Sequence, residues 1–99
     1  MENDPVIVRS RDAGAFCGQL VETDLSQAAV TLREARRLWY WAGAATLSEL
    51  ATEGTAKPKE CKFPAPTEGD HVILGVCEII SVTERALASI QGVPAWKES

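Results

Sequence analysis

At 99 residues and 10.7 kDa the chain has the size of one domain, since domains typically take about 100 to 200 residues. Its 45% hydrophobic and 24% charged residues are globular composition, which excludes a disordered tail or a fibrous repeat. Fourteen acidic against ten basic residues leave a net charge of -4 and a pI near 4.9, the wrong sign for general nucleic-acid binding. A local basic patch can still hold a small anion, because salt confines charge to within about 8 Å.

Val6, Ile7 and Val8, followed by Arg9-Ser10-Arg11, read as a first strand, and Asp12-Ala13-Gly14 is turn chemistry. Ala15 to Glu22 is then the return strand of a hairpin, with Gly18 at a bulge or a close backbone approach. Thr23 to Gln27 closes a further turn. Ala28, Val30 and Leu32 alternate with Ala29, Thr31 and Arg33 as a half-buried strand does. That strand is expected to continue, bent or as two pieces, through Leu38-Trp39-Tyr40-Trp41 with a bulge near Ala35. Trp39 and Trp41 then share one face, and Leu38 and Tyr40 the other.

Thr46-Leu47-Ser48-Glu49 is a capping box, in which the threonine oxygen accepts from the N3 amide and the glutamate reaches back to the N-cap amide. It predicts a helix from about Leu47 to Glu53, stopped by Gly54. Thr55 to Asp70 holds Pro58, Pro64, Pro66 and Gly69, too many breakers for an element, and reads as a long ordered loop. Val72 to Val82, apolar on both faces apart from Glu78, reads as one central strand. Thr83-Glu84 starts a second helix that Gly92 stops, and Val93-Pro94-Ala95-Trp96 is a tail that docks or becomes an edge strand. The fold class is therefore α+β, a single domain with a mainly antiparallel sheet of four to five strands and two short helices.

Cys17, Cys61 and Cys77 are odd in number with no C-x-x-C pair, which fits a reducing compartment and reads as three small buried hydrophobes. His71 is the only histidine, so no structural zinc or other metal site is expected. It reads as a polar end-of-strand residue. The acidic start Met-Glu-Asn-Asp-Pro has neither a basic nor an apolar leader region, and no run approaches the roughly 20 apolar residues of a membrane span. A soluble protein that stays in the cytoplasm is expected. Three tryptophans in a chain whose core buries only roughly two thirds of its surface argue for a homo-oligomer.

The densest chemical cluster is Arg33, Arg36, Arg37, Trp39, Tyr40 and Trp41. Arginine forks match phosphate and indole faces stack on bases, so the cluster suits a nucleotide-like anion. Trp39 and Trp41 equally read as core or interface anchors with arginines lying over them. Lys57, Lys59 and Lys62 on the long loop can complete an anion site. Glu78, if buried, must be paired, and an arginine of the bent strand is the expected partner. No P-loop, G-x-G-x-x-G, H-E-x-x-H or G-x-S-x-G is present, so neither an enzyme nor a cofactor is expected.

The string Arg36-Arg37-Leu38-Trp39-Tyr40-Trp41-Ala42-Gly43-Ala44, continuing through Leu47-Ser48-Glu49-Leu50-Ala51 to Gly54, resembles a family of short bacteriophage and prophage proteins of unknown function. The likeness extends to Val6-Ile7-Val8-Arg9, Ala13-Gly14-Ala15-Phe16, Glu60-Cys61-Lys62-Phe63-Pro64, Glu78-Ile79-Ile80 and Val93-Pro94-Ala95-Trp96. It implies a viral accessory protein acting in the cytoplasm of an infected bacterium. In size and in the order of its elements the chain also resembles the phage sponges that sequester cyclic ADP-ribose signals of the Thoeris defence system; none of that family's binding residues is carried over. The resulting expectation is a non-enzymatic protein that binds a small nucleotide-like anion. Trp39 and Trp41 would stack, Arg36 and Arg37 would pair with phosphate, Arg33 and Tyr40 would flank them, and the Lys57 to Lys62 loop would form a lid. The rival expectations are a protein-interaction module with the same tryptophans as hot spots and a virion or assembly component.

Overall fold

In the computed structural model, which describes residues 4–97, Val6, Ile7 and Val8 are all buried. Successive side chains of a strand point to opposite faces, so three buried in a row require a core on each side. The strand that carries them, β1 (Pro5–Ser10), lies between β2 (Gly14–Asp24) and β5 (Val76–Ser81). The full sheet is antiparallel with order β4-β3-β2-β1-β5, where β3 is Ala29–Arg37 and β4 is Asp70–Ile73. The helices α1 (Leu47–Glu53) and α2 (Glu84–Gln91) cover one face over Ile7, Cys17 and Leu38. The second core, Val6, Val8, Phe16, Val30, Leu32, Ala35 and Ile73, lies on the other. The α+β class read from the sequence is the class found.

The predicted single central strand from Val72 to Val82 is two strands, and both are edges. Gly75, at φ 68, bends the chain between β4 and β5, which run in the same direction on opposite edges. This bend also shapes the whole sheet. Edge strands of a flat five-stranded sheet lie about 19 Å apart at about 4.8 Å per spacing, yet the three links from Ile73 to Val76 reach at most about 11 Å. The sheet must therefore curl around its second core. Ser10 Oγ donates to the Leu74 carbonyl at 2.6 Å, the Arg11 amide to Gly75 at 3.1 Å, and the Val76 amide to Ala28 at 2.8 Å, which close the curl. β-branched composition on both faces identified extended structure but not burial: Val72, Leu74 and Ile79 are exposed and no residue of β5 is buried, because an edge strand of a curled sheet lacks the cover of a central one.

The bulge expected near Ala35 is present: between Cys17↔Arg36 and Gln19↔Arg33 the β3 side carries an extra residue. Glu34 takes a φ of 56 there, and Gly18 lies opposite. A Cβ on Gly18 would come within 3.1 Å of the Ala35 Cα, so the glycine marks the close approach that lets the bulge form. Beyond it β3 ends at Arg37 and does not run on to Trp41; only Tyr40 makes a further bridge, to Lys62.

Helix α1 has the predicted bounds, and Thr46 Oγ1 accepts from the Glu49 amide at 3.1 Å. Glu49 returns to the Ala45 amide at 2.7 Å, one residue before the expected N-cap amide. Thr83 caps α2 in the same way, accepting from the Ala86 amide, and its hydroxyl donates to the Thr52 carbonyl to join the two helices. The long loop folds back on the body through buried Cys61 and Phe63. The tail docks on it: Phe63 bridges Ala95 in parallel, and the Trp96 amide donates to the Phe63 carbonyl at 3.0 Å. No helix among the described residues is long and apolar enough to cross a membrane.

Candidate ligand-binding cleft

The two adjacent arginines expected to act together part company. Alternation along β3 sends them to opposite faces, and Arg36 turns inward under α2 with only 7% of its surface exposed. Its Nε donates to the Pro64 carbonyl at 2.9 Å, Nη1 to Ile90 at 2.8 Å, and Nη2 to Phe63 at 3.0 Å and Val93 at 2.6 Å. The guanidinium thus gathers the end of α2, the docked tail and the long loop, sharing the Ile90 and Phe63 carbonyls with the Val93 and Trp96 amides. Burial pulls its pKa below the ordinary value, with the Cys17 and Cys61 thiols opposing, and an arginine stays charged nonetheless. Arg36 is a structural cation, and the expected role in pairing a surface phosphate does not fit where it lies.

Arg37 takes the other face. Its Cζ lies 4.4 Å over the Phe16 ring and its Nη1 donates to the Ala13 carbonyl, which aims the head at the β1–β2 turn. The antiparallel register completes the arrangement. Arg9 pairs with Ala15, and the Leu38 amide donates to the Ala15 carbonyl, so Arg9 and the start of the tryptophan segment flank one backbone position. Ser10, buried between them, accepts from the Ala13 amide and fixes the hairpin.

The result is a cleft of about 500 Å³ walled by Arg9, Arg11, Arg37, Leu38, Trp39, Trp41 and Cys77. That volume lies in the range of small-molecule sites, about 300 to 1,000 Å³. Trp39 is 64% exposed and offers a free indole face, whereas Trp41 is half-buried against the helix-side core. Arg9 is ion-paired to Glu78 at 3.1 Å. The Arg11 side chain has no hydrogen-bond or ion-pair partner among the described residues.

The other expected site residues lie elsewhere. Arg33 pairs with Asp70 on the surface at 3.2 Å. Tyr40 is 52% exposed and bridges Lys62, whose Nζ lies 5.6 Å from the Trp96 ring. Lys57, Lys59 and Lys62 line no part of the cleft, so the loop that carries them is not its lid. Glu78 is half-exposed, not buried, and its arginine comes from β1, not from the bent strand. Cys77 is exposed, unlike the other two cysteines. His71 packs edge-on against Phe16 at 5.1 Å and meets Thr67 Oγ1 at 3.1 Å, the structural role expected of it.

Arg9, Arg11 and Cys77 escaped the sequence reading. A signal for the arginines was present, because a hairpin turning at Asp12-Ala13-Gly14 places both beside its mouth; Cys77 joins them only through the β1–β5 pairing.

The family model described as a domain of unknown function (DUF6948) matches residues 3–90. The chain belongs to this family. No curated protein and no solved structure matches it. The family match takes in all the strands and every residue that walls the cleft, whereas the docked tail from Val93 to Trp96 lies beyond it.

Proposed function

We propose that this is a non-enzymatic accessory protein of a bacteriophage or prophage that binds a small anionic, nucleotide-like ligand in the arginine–tryptophan cleft. It would act in the cytoplasm of the infected host, as a homo-oligomer, by sequestering an immune signal. The observation that carries the reading is the meeting of Arg11, Arg37 and the open face of Trp39 in one hollow of about 500 Å³. Guanidinium forks pair with phosphate bidentately, and an indole face stacks on any base at about 1 to 3 kcal/mol. Arg37 is held by Phe16 and Ala13, so little side-chain entropy is lost on binding. The viral setting is supported by the resemblance carried by Arg36 to Ala44, and self-association by exposed Val72, Leu74 and Ile79 on or beside the edge strands.

A thermal-shift panel of cyclic dinucleotides, ADP-ribose isomers and cyclic ADP-ribose isomers tests this reading. One class should raise the melting temperature, by about 2.7 kcal/mol of stabilisation at a hundredfold excess over Kd. If none moves it and pull-downs recover a stoichiometric protein instead, the ligand reading fails. The second reading, a protein-interaction module, is then favoured by exposed Trp39 and Tyr40, aromatic residue types common among interface hot spots. A third, a virion or assembly component, predicts the chain in purified particles by mass spectrometry.

A further inference from the structure

A second hollow of about 370 Å³ opens at the far end of the β1–β2 hairpin, between the sheet and α2. Its walls include Leu87, Ile90 and Val93 on one side, the bulge at Gly18 on the other, and the Arg36 guanidinium. Arg36 has five N–H groups. Four are engaged by the carbonyls of Pro64, Ile90, Phe63 and Val93, which leaves one on Nη1. Neutral carbonyls solvate a buried charge without cancelling it, and no carboxylate of a described residue forms an ion pair with Arg36. A buried cation in a largely apolar wall, where Glu34 is the one carboxylate of the lining, attracts an anion more strongly than a surface cation does, because little water screens it.

We propose that this cavity is a separate binding site for a singly charged amphipathic anion, a medium-chain carboxylate whose alkyl chain lies along Leu87, Ile90 and Val93 and whose head reaches Arg36. The volume holds roughly a dozen non-hydrogen atoms at about 30 Å³ each, which accommodates octanoate. Glu34 stands in the lining, its Oε2 accepting from Gln19 Nε2 at 3.1 Å. Its negative charge opposes any anion and a doubly charged phosphate about twice as strongly as a carboxylate, which separates this site from the arginine–tryptophan cleft. The site is independent of the function proposed above and stands or falls without it.

Titration of the full ¹⁵N-labelled chain with octanoate to about 1 mM, followed by amide shifts, tests the assignment. Saturable shifts are expected at Gly18, Leu87, Ile90 and Gln91, with Arg11 and Trp39 unmoved. Octanol and octylamine should bind at least about tenfold more weakly, the effect of one charge-assisted hydrogen bond. Leu87→Trp, at a half-buried wall position, should fill the hollow and weaken octanoate by at least about tenfold. The proposal is overturned by any of three results: no saturable shift at these amides, octanol binding as tightly as octanoate, or unchanged affinity in a Leu87→Trp chain with a folded spectrum.

Discussion

Arg36 Nη1 and the Ile90 carbonyl meet at 2.8 Å across 54 positions of sequence. Through this bond and its companions to Phe63, Pro64 and Val93, a single side chain of β3 holds together three segments that share no strand ladder with it. Arg36→Met removes four charge-assisted hydrogen bonds, although the Ile90 and Phe63 carbonyls keep the Val93 and Trp96 amides. A loss of about 3 kcal/mol or more is expected, since hydrogen bonds to charged groups contribute about 1.5 to 3 kcal/mol each and do not add fully. For a domain of this size that lowers Tm by roughly 12 to 24 °C, read by circular dichroism. Arg36→Lys keeps the charge without the planar fork and should recover only part. A methionine chain that melts within a few degrees of wild type would mean that water replaces the donors at little cost.

Burial pushes the Cys17 thiol from its ordinary 9.0 up to about 11, with the Arg36 charge pulling it partly back. Between those values the unfolded chain has released the proton while the folded chain retains it. Stability is therefore intact below about pH 9 and falls as pH rises toward 11. The loss expected from this group is about 1 kcal/mol at pH 10. Urea denaturation at about pH 8 and pH 10 should show a steeper decline for wild type than for Cys17→Ala, which lacks the group. Parallel declines would show that the thiol ionises alike in both states.

Trp39 is largely exposed, so Trp39→Ala should change stability by no more than about 0.5 kcal/mol. If it stacks on a base, the same change weakens the ligand by roughly 5- to 150-fold. Arg11→Ala, at a side chain with no hydrogen-bond or ion-pair partner among the described residues, should weaken a phosphorylated ligand more than its dephosphorylated form. Calorimetry with both forms reads the difference, and equal losses for the two forms would remove Arg11 from phosphate recognition.

Gly54 and Gly14 both have positive φ, at 80 and 92, but differ in surroundings. A Cβ at Gly54 would collide with the Ser89 side chain of α2, whereas at Gly14 it meets nothing within 4 Å. Gly14→Ala should cost only the left-handed penalty of about 1 to 2 kcal/mol, and Gly54→Ala clearly more. Chemical denaturation of the two variants gives the ranking. Equal costs would show that α2 shifts freely away from α1.

Cys77 is exposed in the cleft wall while Cys17 and Cys61 are buried. One thiol per chain should react with a colourimetric disulfide reagent under native conditions, and three in denaturant. A saturating cleft ligand should slow the fast thiol, and protection of Cys17 should track global unfolding.

What could be read without coordinates was what depends on near neighbours. The hairpin turn at Asp12 to Gly14, the capping threonines at 46 and 83, and the bulge opposite Gly18 all follow from a few residues acting on their own backbone. The α+β class followed from their sum. The run from Val72 to Val82 carried its extended conformation in its composition, but neither its burial nor its place. Whether it lay at the centre or at both edges depended on the single bend at Gly75 and the curl this imposed on distant strands.

The cleft divided along the same line. Arg36 and Arg37 are neighbours in sequence, and the two-residue period of a strand alone puts them on opposite faces. Which of the two faces meets α2 and the tail is set by where those segments come to rest, and their carbonyls and that of the long loop are 27 to 57 positions away. Arg9, Arg11 and Cys77 join Trp39 for the same reason: strand pairing, not proximity along the chain, decides which side chains share a hollow. Local backbone preferences act over a few residues, whereas burial and charge pairing act through space, and only the packed sheet relates the two.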